Sequence, residues 1–492
     1  MRFIAQEQEL GRELPKVIGN VDYREYVAQF ELIDELLATS GIERRFVEAR
    51  LAEWVRTGER VGLKAQLLYQ KTCSQALRCN IARQLTEREY RKFTRRLAES
   101  ALLQKFCRVE RIEVVKIPSK STLERYDKMA AEGEIRAVVS QLLGTAGDPI
   151  RCSTLGLETE VGVDVLFSDT TCLKANIHFP TDWVLLRDGV RTVMKAVKLI
   201  RREGLKHRME EPETFLREIN RLAMEMTQSR RAPGSVKQRK RVLRRMKRLV
   251  KVVRGHAQRY VDLLKESWQE TEWTEPQARQ VWRRMEGVLE QLPAAVRQAH
   301  ERLIGGRQVP SDEKILSLYE PDIRVIVRGK AGAEVEFGNT LYVGEQQDGL
   351  IVDWKLLREQ SRGDAVLLEE SLERIHECFG RYPCGAGADR GFDRKVTRDY
   401  LEGRHIFNGI CPKSVAVLGE RMKDEGFADI QRRRAQTEGR IGILKNDFLG
   451  PVLRNKGFES RERGVAWAVL AHNLWVLVRI LRVQEKEREE AA

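Results

Sequence analysis

The segment RRRAQTEGRIGILKNDFLG, residues 432–450, holds one glutamate, Glu438, among arginines and lysines. On an α-helix, which advances about 100° per residue, Arg434, Glu438 and Lys445 fall within about 40° of one another. The adjoining stripe is mostly apolar, so we expect Glu438 to lie where the protein core meets solvent. A carboxylate at that border can bind a metal ion while the two cations bind phosphate. The alternative interpretation is an exposed salt bridge, which would contribute little to stability.

A second carboxylate, Asp169, lies in the segment VGVDVLFSDTTCL. Alternate residues of this segment are apolar, which predicts a β-strand with one apolar face. Asp169 is in step with the apolar residues of that face, which are Val161, Val163, Val165 and Phe167, so it would point to the same side of the strand. A charged group on an apolar face is costly unless something compensates for it, and a bound metal ion would do so.

A third carboxylate, Asp389, follows the glycines of the segment PCGAGADRGF, which predicts a short strand. These glycines lack the Gly-Lys-Ser/Thr sequence of a phosphate-binding loop, so we interpret them as sites of close packing. Asp169, Asp389 and Glu438 together offer the hard oxygen ligands that Mg²⁺ prefers. Two such ions about 3.5–4 Å apart can activate an attacking hydroxyl and stabilise the leaving oxygen at a phosphate.

The composition favours a polyanionic partner. The chain has 492 residues and a formal net charge of +15, which favours nucleic acid first and an anionic membrane surface second. The segment GVAWAVLAHNLWVLVRIL contains His472, Asn473 and Arg479, and at about 18 residues it is short for a bilayer span, so we predict a buried helix and no membrane partner. No secretory signal opens the chain, and the eight cysteines form no C-x-x-C pair, so we predict a cytoplasmic protein without a zinc site.

The pattern of elements predicts an α/β core interrupted by a helical insertion. We predict a helical N-terminal DNA-binding region in residues 1–150, for which the alternative is an ordinary helical bundle. Residues 151–205 would form the first part of the catalytic core. Residues 206–306 would form a helical basic insertion. Residues 307–492, in which strands alternate with helices, would form the remainder of the core.

The insertion contains the cationic run SVKQRKRVLRRMKRLVKVVRG. Its apolar residues recur at helical spacing, so one stripe of the helix is apolar and the rest is basic. The apolar stripe consists of Val242, Met246, Leu249 and Val253. The residues predicted to contact DNA are Lys240, Arg244, Lys247 and Lys251. A coiled-coil arm and a solvated basic face without a specific partner are the alternatives.

From about residue 150 to its C-terminus, apart from residues 206–306, the chain resembles the DDE transposases of bacterial insertion sequences. The segment SDTTCLKANIHFPTDWVLLRDGVR is similar to the family's first aspartate block, and GADRGFDRKVTRDYLEGRHI is similar to its second. The glutamate block of the family has the pattern Tyr-x2-Arg-x3-Glu-x6-Lys. Arg434, Glu438 and Lys445 match this pattern, and Gln431 stands where the family has tyrosine.

The resemblance implies a ribonuclease-H-like core, a mixed sheet flanked by helices. In that fold the first aspartate lies on the first strand, the second on a neighbouring strand, and the glutamate on a helix packed over them. It implies that Asp169, Asp389 and Glu438 are the catalytic residues and ligate Mg²⁺ or Mn²⁺, with two ions expected. It also implies that Arg434, Lys445 and Gln431 contact DNA.

The implied activity is that of a transposase in the bacterial cytoplasm, associated with the nucleoid. Such an enzyme binds the terminal inverted repeats of its element, cuts the DNA and joins the released 3′-hydroxyl to target DNA. Because two element ends must be joined, a homodimer or a larger synaptic complex is implied. Two alternatives stay open: a domesticated or inactive DNA-binding protein, and a nuclease of the same fold that lacks strand transfer.

Overall fold

The computed structural model describes residue 4 and residues 17–56, 62–110, 114–162, 164–229, 234–330, 333–359 and 363–491. Within these residues the chain forms sixteen α-helices and a mixed sheet of six strands, so the predicted α/β class is confirmed. The chain divides into two compact units. The first comprises Met1–Leu173, Thr340–Leu357 and Ser361–Ala492, and the second comprises Lys174–Asn339 and Arg358–Gln360.

Seven helices precede the sheet in the first unit, as their apolar spacing indicates. They are α1 (Val21–Thr39), α2 (Ile42–Arg56), α3 (Leu63–Thr86), α4 (Tyr90–Glu99), α5 (Ala101–Phe106), α6 (Lys120–Asp127) and α7 (Glu132–Ala146). Side-chain caps mark three of the starts, including that of α5, where Ser100 accepts a hydrogen bond from the backbone of Leu103. Asn20 accepts a hydrogen bond from the backbone of Tyr23 at the start of α1, and Ser119 accepts one from Thr122 at the start of α6. Each cap satisfies a backbone N–H that has no partner inside its helix.

The second unit contains four long helices. They are α8 (Asp182–Arg202), α9 (Pro212–Gln228), α10 (Ser235–Ser267) and α11 (Glu275–His300). Helix α10 carries the cationic run, and Val242, Met246 and Val253 are buried while Leu249 packs against the same core. The predicted apolar stripe is therefore confirmed, and the basic residues occupy the rest of the helix surface. Residues 206–306 fall inside this unit, which begins at Lys174.

The strands form one mixed sheet. They are β1 (Val165–Lys174), β2 (Arg324–Lys330), β3 (Ala333–Glu345), β4 (Ile351–Leu356), β5 (Gly385–Ala388) and β6 (Phe407–Asn408). Their order is β2-β3-β1-β5-β6, and β4 also pairs with β3. β5 pairs in parallel with both β1 and β6, whereas β2 and β4 run antiparallel to β3.

The predicted alternation in β1 is wrong. The strand begins at Val165 instead of Val161, and Val163 lies outside the described residues. Leu166, Phe167 and Ser168 are all buried, although successive side chains of a strand point to opposite faces. β1 lies between β3 and β5, and its burial runs in two blocks of three residues on either side of the half-buried Asp169 and Thr170 instead of alternating.

Five helices of the first unit follow β4. They are α12 (Asp364–Phe379), α13 (Lys395–Gly403), α14 (Val415–Arg421), α15 (Glu425–Ile443) and α16 (Phe458–Ala491), and a π-helical turn (Leu444–Leu449) continues α15. Of these, α12 comes before β5, and α13 lies between β5 and β6. Among the helices that the structure describes, α16 alone is long and apolar enough to cross a membrane, but 78% of its apolar window is buried inside the protein. The predicted buried helix near the C-terminus is confirmed.

A side-chain amide connects α16 to the sheet. Asn473, which is fully buried, accepts a hydrogen bond from the backbone N–H of Ile351 and donates one to the carbonyl of Ile351, both at 2.9 Å. Ile351 is the first residue of β4. The amide therefore satisfies two backbone groups of β4 that would otherwise be buried without a partner.

Asn473→Leu is expected to lower the free energy of unfolding by about 2–4 kcal/mol, because it leaves two buried backbone groups without hydrogen bonds. Urea unfolding followed by circular dichroism measures the loss. Asn446→Leu, at an exposed position in the π-helical turn, is the matched control and is expected to change little. Equal stability of the two variants would contradict this role of Asn473.

Candidate active site

Two of the predicted carboxylates are neighbours because of the register between β1 and β5. The parallel pairing runs from Val165 opposite Gly385 to Ser168 opposite Ala388. The next residue on each chain segment is Asp169 on β1 and Asp389 directly after β5. Adjacent strands lie about 4.8 Å apart, so residues far apart in the sequence meet at one place at the carboxyl end of β5.

The small residues of β5 allow α15 to lie close over this part of the sheet. A Cβ atom on Gly387 would come within 2.8 Å of the Ile430 side chain of α15 and within 3.1 Å of the Phe167 ring. A Cβ atom on Gly409, which follows β6, would come within 2.5 Å of Ile430. The predicted role of the glycines in close packing is therefore confirmed at Gly387.

An arginine and a threonine fix the rotation of α15. Arg433 bonds to the Glu345 carboxylate at 3.1 Å and donates to the carbonyl of Gln347 at 2.7 Å. The Thr437 hydroxyl donates to the same carboxylate at 2.8 Å. The Arg433 guanidinium also lies over the Phe167 ring, with its central carbon 4.6 Å from the ring centroid. These contacts attach one face of α15 to the end of β3 and to β1.

The third carboxylate, Glu438, is exposed on α15 and acts electrostatically on Asp169. The pKa of Asp169 is raised to about 6, first by partial burial and then by the negative charges of Asp389 and Glu438. The backbone N–H of Thr170, 2.7 Å from the Asp169 carboxylate, and the charge of Arg434 act in the opposite direction. The three predicted carboxylates and Arg434 therefore belong to one electrostatic cluster.

Gln431 has an internal role that differs from the predicted DNA contact. Its amide nitrogen donates to the carbonyl of Gly409 at 2.6 Å, and its amide oxygen accepts from Nε of Arg434 at 3.3 Å. Both ends of the amide are engaged within the chain. Gln431 thus orients Arg434 toward the cluster, where the resemblance had suggested a contact with DNA.

The regular α-helix assumed for Lys445 ends before that residue. α15 ends at Ile443, and Lys445 lies in the π-helical turn, where the advance per residue differs from that of an α-helix. Its Nζ donates to the Thr171 hydroxyl at 3.1 Å. Thr171 follows Asp169 by two residues, so both lie on one face of β1. Through this hydrogen bond, Lys445 contacts the face of β1 that also carries Asp169.

A fourth carboxylate, Asp364, was not predicted. It is the first residue of α12, and burial and the charge of Asp389 raise its pKa, whereas the nearby Thr170 hydroxyl acts in the opposite direction. Arg394 lies close enough to lower that pKa. An acidic residue in the first turn of a helix is common because it interacts favourably with the helix dipole. The sequence therefore carried no signal that separated Asp364 from an ordinary helix start.

The donor chemistry of the cluster fits a divalent cation of the magnesium class, because its ligating groups are all carboxylates. In the part of the chain that the structure describes, no three histidine, cysteine, aspartate or glutamate side chains are gathered closely enough to form a metal cluster. The carboxylates are instead distributed over β1, the residue after β5 and α15. Such a distribution is compatible with ions shared between pairs of carboxylates.

The four predicted DNA contacts of the cationic run share one face of α10 in the second unit. Arg244 and Lys251 are exposed and Lys240 is partly exposed. Lys247 forms a 3.0 Å hydrogen bond with the His300 ring of α11. Arg245, on another face, is bonded to Glu218 of α9. Three of the four predicted residues are therefore available to a partner.

Comparison of the chain with models of protein families, with curated proteins and with solved structures found no match. The residues of the cluster themselves therefore carry the functional inference.

Asp169→Asn is expected to stabilise the protein at pH 7.5 without divalent cations, by about 1–3 kcal/mol. The pKa of Asp169 rises from the usual 3.8 to about 6 on folding, so the ionised carboxylate opposes folding above pH 6. This cost disappears as the pH falls through 6 toward 4, where the folded protein binds the proton. Thermal unfolding across this range measures the difference.

Asp429→Asn is the matched control for this comparison, because Asp429 is exposed and paired with Arg432 on α15. It is expected to change the thermal midpoint little at any pH. A variant at residue 169 that is less stable than the native chain at pH 7.5 would contradict the electrostatic description of the cluster. So would a stability difference that does not vary with pH.

Proposed function

We propose that the chain is a DDE-type transposase, which cuts and joins DNA with the aid of divalent metal ions. The observation that carries this proposal is the parallel register of β1 and β5, which sets Asp169 beside Asp389 within the electrostatic reach of Glu438. Asp169 and Asp389 are half-buried and Glu438 is exposed. Neighbouring carboxylates repel one another, and divalent cations relieve that repulsion. Cleavage and joining of phosphodiesters would also explain why two cations, Arg434 and Lys445, lie next to the carboxylates.

The arrangement of the elements supports a ribonuclease-H-like core. The fold that the resemblance implies has its first aspartate on the first strand, its second on a neighbouring strand and its glutamate on a helix over them. Here Asp169 lies on the first strand of the sheet, Asp389 follows the strand paired with it, and Glu438 lies on a helix that packs on β5. The long helical segment between β1 and β3 would then be an insertion within the core.

Each side chain has a distinct task in the proposed reaction. Asp169, Asp389 and Glu438 would hold Mg²⁺ or Mn²⁺, which supplies charge neutralisation at the phosphate and lowers the pKa of the attacking hydroxyl. Arg434, oriented by Gln431, and Lys445, held near Thr171, would bind the phosphate oxygens. In cutting, water attacks phosphorus and the 3′ oxygen leaves. In joining, that 3′-hydroxyl attacks a target phosphodiester and displaces another 3′ oxygen.

DNA is the proposed partner, as element ends and as target. The net charge of +15 and the basic face of α10 support a polyanionic substrate. Because two ends must be brought together, the proposal includes a homodimer or a larger complex on DNA. The proposed location is the bacterial cytoplasm, in association with the nucleoid.

Asp389→Asn and Glu438→Gln are each expected to reduce metal-dependent DNA cleavage by on the order of 10³-fold or more, because each removes a ligand charge while keeping the shape of the side chain. Binding to the ends of the element is expected to stay within about threefold of the native affinity. A cleavage assay with Mn²⁺ and a gel-shift assay on the same DNA measure the two properties.

Glu420→Gln is the control, since Glu420 is an exposed carboxylate paired with Lys423 on α14. Its cleavage rate should match that of the native chain. Full activity of Glu438→Gln would remove that residue from the site and support the exposed salt-bridge interpretation instead. Cleavage without joining of the released 3′ end would favour a nuclease, and DNA binding without cleavage by the native chain would favour an inactive DNA-binding protein.

Reversal of three charges on α10 tests the contribution of its basic face. The variant Lys240→Glu, Arg244→Glu and Lys251→Glu is expected to weaken binding to all DNA sequences similarly and to reduce the slope of log affinity against log salt by about three. Lys247 is left unchanged because it bonds to His300. Fluorescence anisotropy with duplex DNA at several salt concentrations measures the slope.

The charge-preserving variant Lys240→Arg, Arg244→Lys and Lys251→Arg is the matched control and is expected to keep the native slope. If the charge-reversed protein also keeps the native slope, α10 faces protein or solvent and makes no contact with the phosphate backbone.

A further inference from the structure

Thr170 connects two acidic residues of the cluster that come from different elements. Its backbone N–H donates to the Asp169 carboxylate at 2.7 Å, and its hydroxyl lies close enough to Asp364 to lower the pKa of that carboxyl. Asp169 lies on β1 and Asp364 is the first residue of α12. The start of α12 therefore lies close to β1 at Thr170.

A glycine separates Asp364 from Asp389. A Cβ atom built on Gly391 would lie 2.9 Å from one oxygen of Asp364 and 3.0 Å from one oxygen of Asp389, so the two carboxylates converge on the same small space. The first distance is shorter than real Cβ contacts and the second is at their lower limit, so a methyl group here would displace the ends of both side chains. The backbone N–H of Gly391 also donates to that Asp389 oxygen at 2.8 Å. The backbone of Gly391 is outside the left-handed region, so the space, and not the conformation, disfavours a side chain.

Asp364 and Asp389 are both acidic, so the space beside Gly391 gathers negative charge. Arg394 packs against the start of α12, where a Cβ atom on Gly363 would lie 2.6 Å from its guanidinium. Two carboxylates and one arginine therefore lie around this part of the site.

We propose that Asp364 is a fourth cation ligand of the active site and shares an ion with Asp389. This inference rests on the proposed function, because it assumes that the cluster binds divalent cations. Four ionised carboxylates carry the same total charge as two divalent ions, whereas the triad alone leaves an excess of positive charge. Asp364 therefore favours the occupation of two ion positions before any DNA phosphate arrives.

An ion pair with Arg394 is the structural alternative for Asp364. In that case its carboxylate would stabilise the contact between α12 and the segment before α13, and its removal would lower stability without affecting cation binding. The two roles differ in what they predict for the binding of Mn²⁺ alone, which can be measured without DNA and without catalysis.

The test is a titration of the full chain with Mn²⁺, with free Mn²⁺ detected by electron paramagnetic resonance. The native chain is expected to bind two ions, and Asp364→Asn is expected to weaken the binding of one of them at least tenfold. Asp399→Asn, at an exposed position on α13, is the matched control and should bind as the native chain does. Native binding by Asp364→Asn would overturn the proposal for Asp364.

Gly391→Ala provides an independent variant that keeps every carboxylate. Its methyl group would force Asp364 and Asp389 apart, so a loss of Mn²⁺ affinity similar to that of Asp364→Asn is expected while circular dichroism stays unchanged. Gly403→Ala, where a Cβ atom meets no neighbour within 4 Å, is its control. Native Mn²⁺ binding by Gly391→Ala would contradict a shared ion.

The same titration separates this inference from the proposed function. If Asp389→Asn weakens Mn²⁺ binding and both Asp364→Asn and Gly391→Ala leave it unchanged, the triad stands and Asp364 is excluded. If the native chain binds no Mn²⁺ in the millimolar range, both proposals are overturned together.

Discussion

Asp169 and Asp389 are held side by side by backbone hydrogen bonds, against the repulsion of their charges. β1 and β5 pair in parallel in one register, and their interior positions leave little freedom for a slip. A shift of one residue would turn each side chain of the strand to the opposite face. The small residues of β5 then let α15 approach closely enough for Glu438 to join the other two. The positions of the other side chains of the site depend on this pairing of β1 with β5.

Contacts around the site reduce the electrostatic repulsion between the paired carboxylates Asp169 and Asp389 without removing it. Thr170 donates its backbone N–H to Asp169, and Arg434, oriented by Gln431, contributes the positive charge that acts on Asp169. The pKa of Asp169 nevertheless rises to about 6, so the folded chain retains an unfavourable interaction that a cation would relieve. Stability is thus lower than it would be with neutral residues, as is common where a site is organised for binding charge. The supporting side chains lie on strands and helices, which hold such a site rigidly.

Sequence periodicity predicted the helices and the order of the strands along the chain, because these follow from local patterns, whereas the three carboxylates were singled out mainly by the resemblance. Sequence periodicity did not predict features that depend on contacts between residues distant in the sequence. Burial along β1 does not alternate, so the period of two predicted for it is absent, and a π-helical turn that the sequence pattern did not predict carries Lys445. The internal bonds of Gln431 and the proximity of Asp364 to Asp389 depend on residues distant in sequence. A single sequence carries no local signal for either.

A crystal structure of the chain grown with Mn²⁺, with anomalous scattering recorded near the manganese absorption edge, addresses the carboxylate cluster most directly. Anomalous peaks locate the ions without reference to any assumed mechanism. We predict at least one peak within ligand distance, about 2.0–2.3 Å, of oxygens from two or more of Asp169, Asp389 and Glu438. Peaks only elsewhere on the protein, or none at a Mn²⁺ concentration that supports DNA cleavage, would contradict the account of these carboxylates as a metal site.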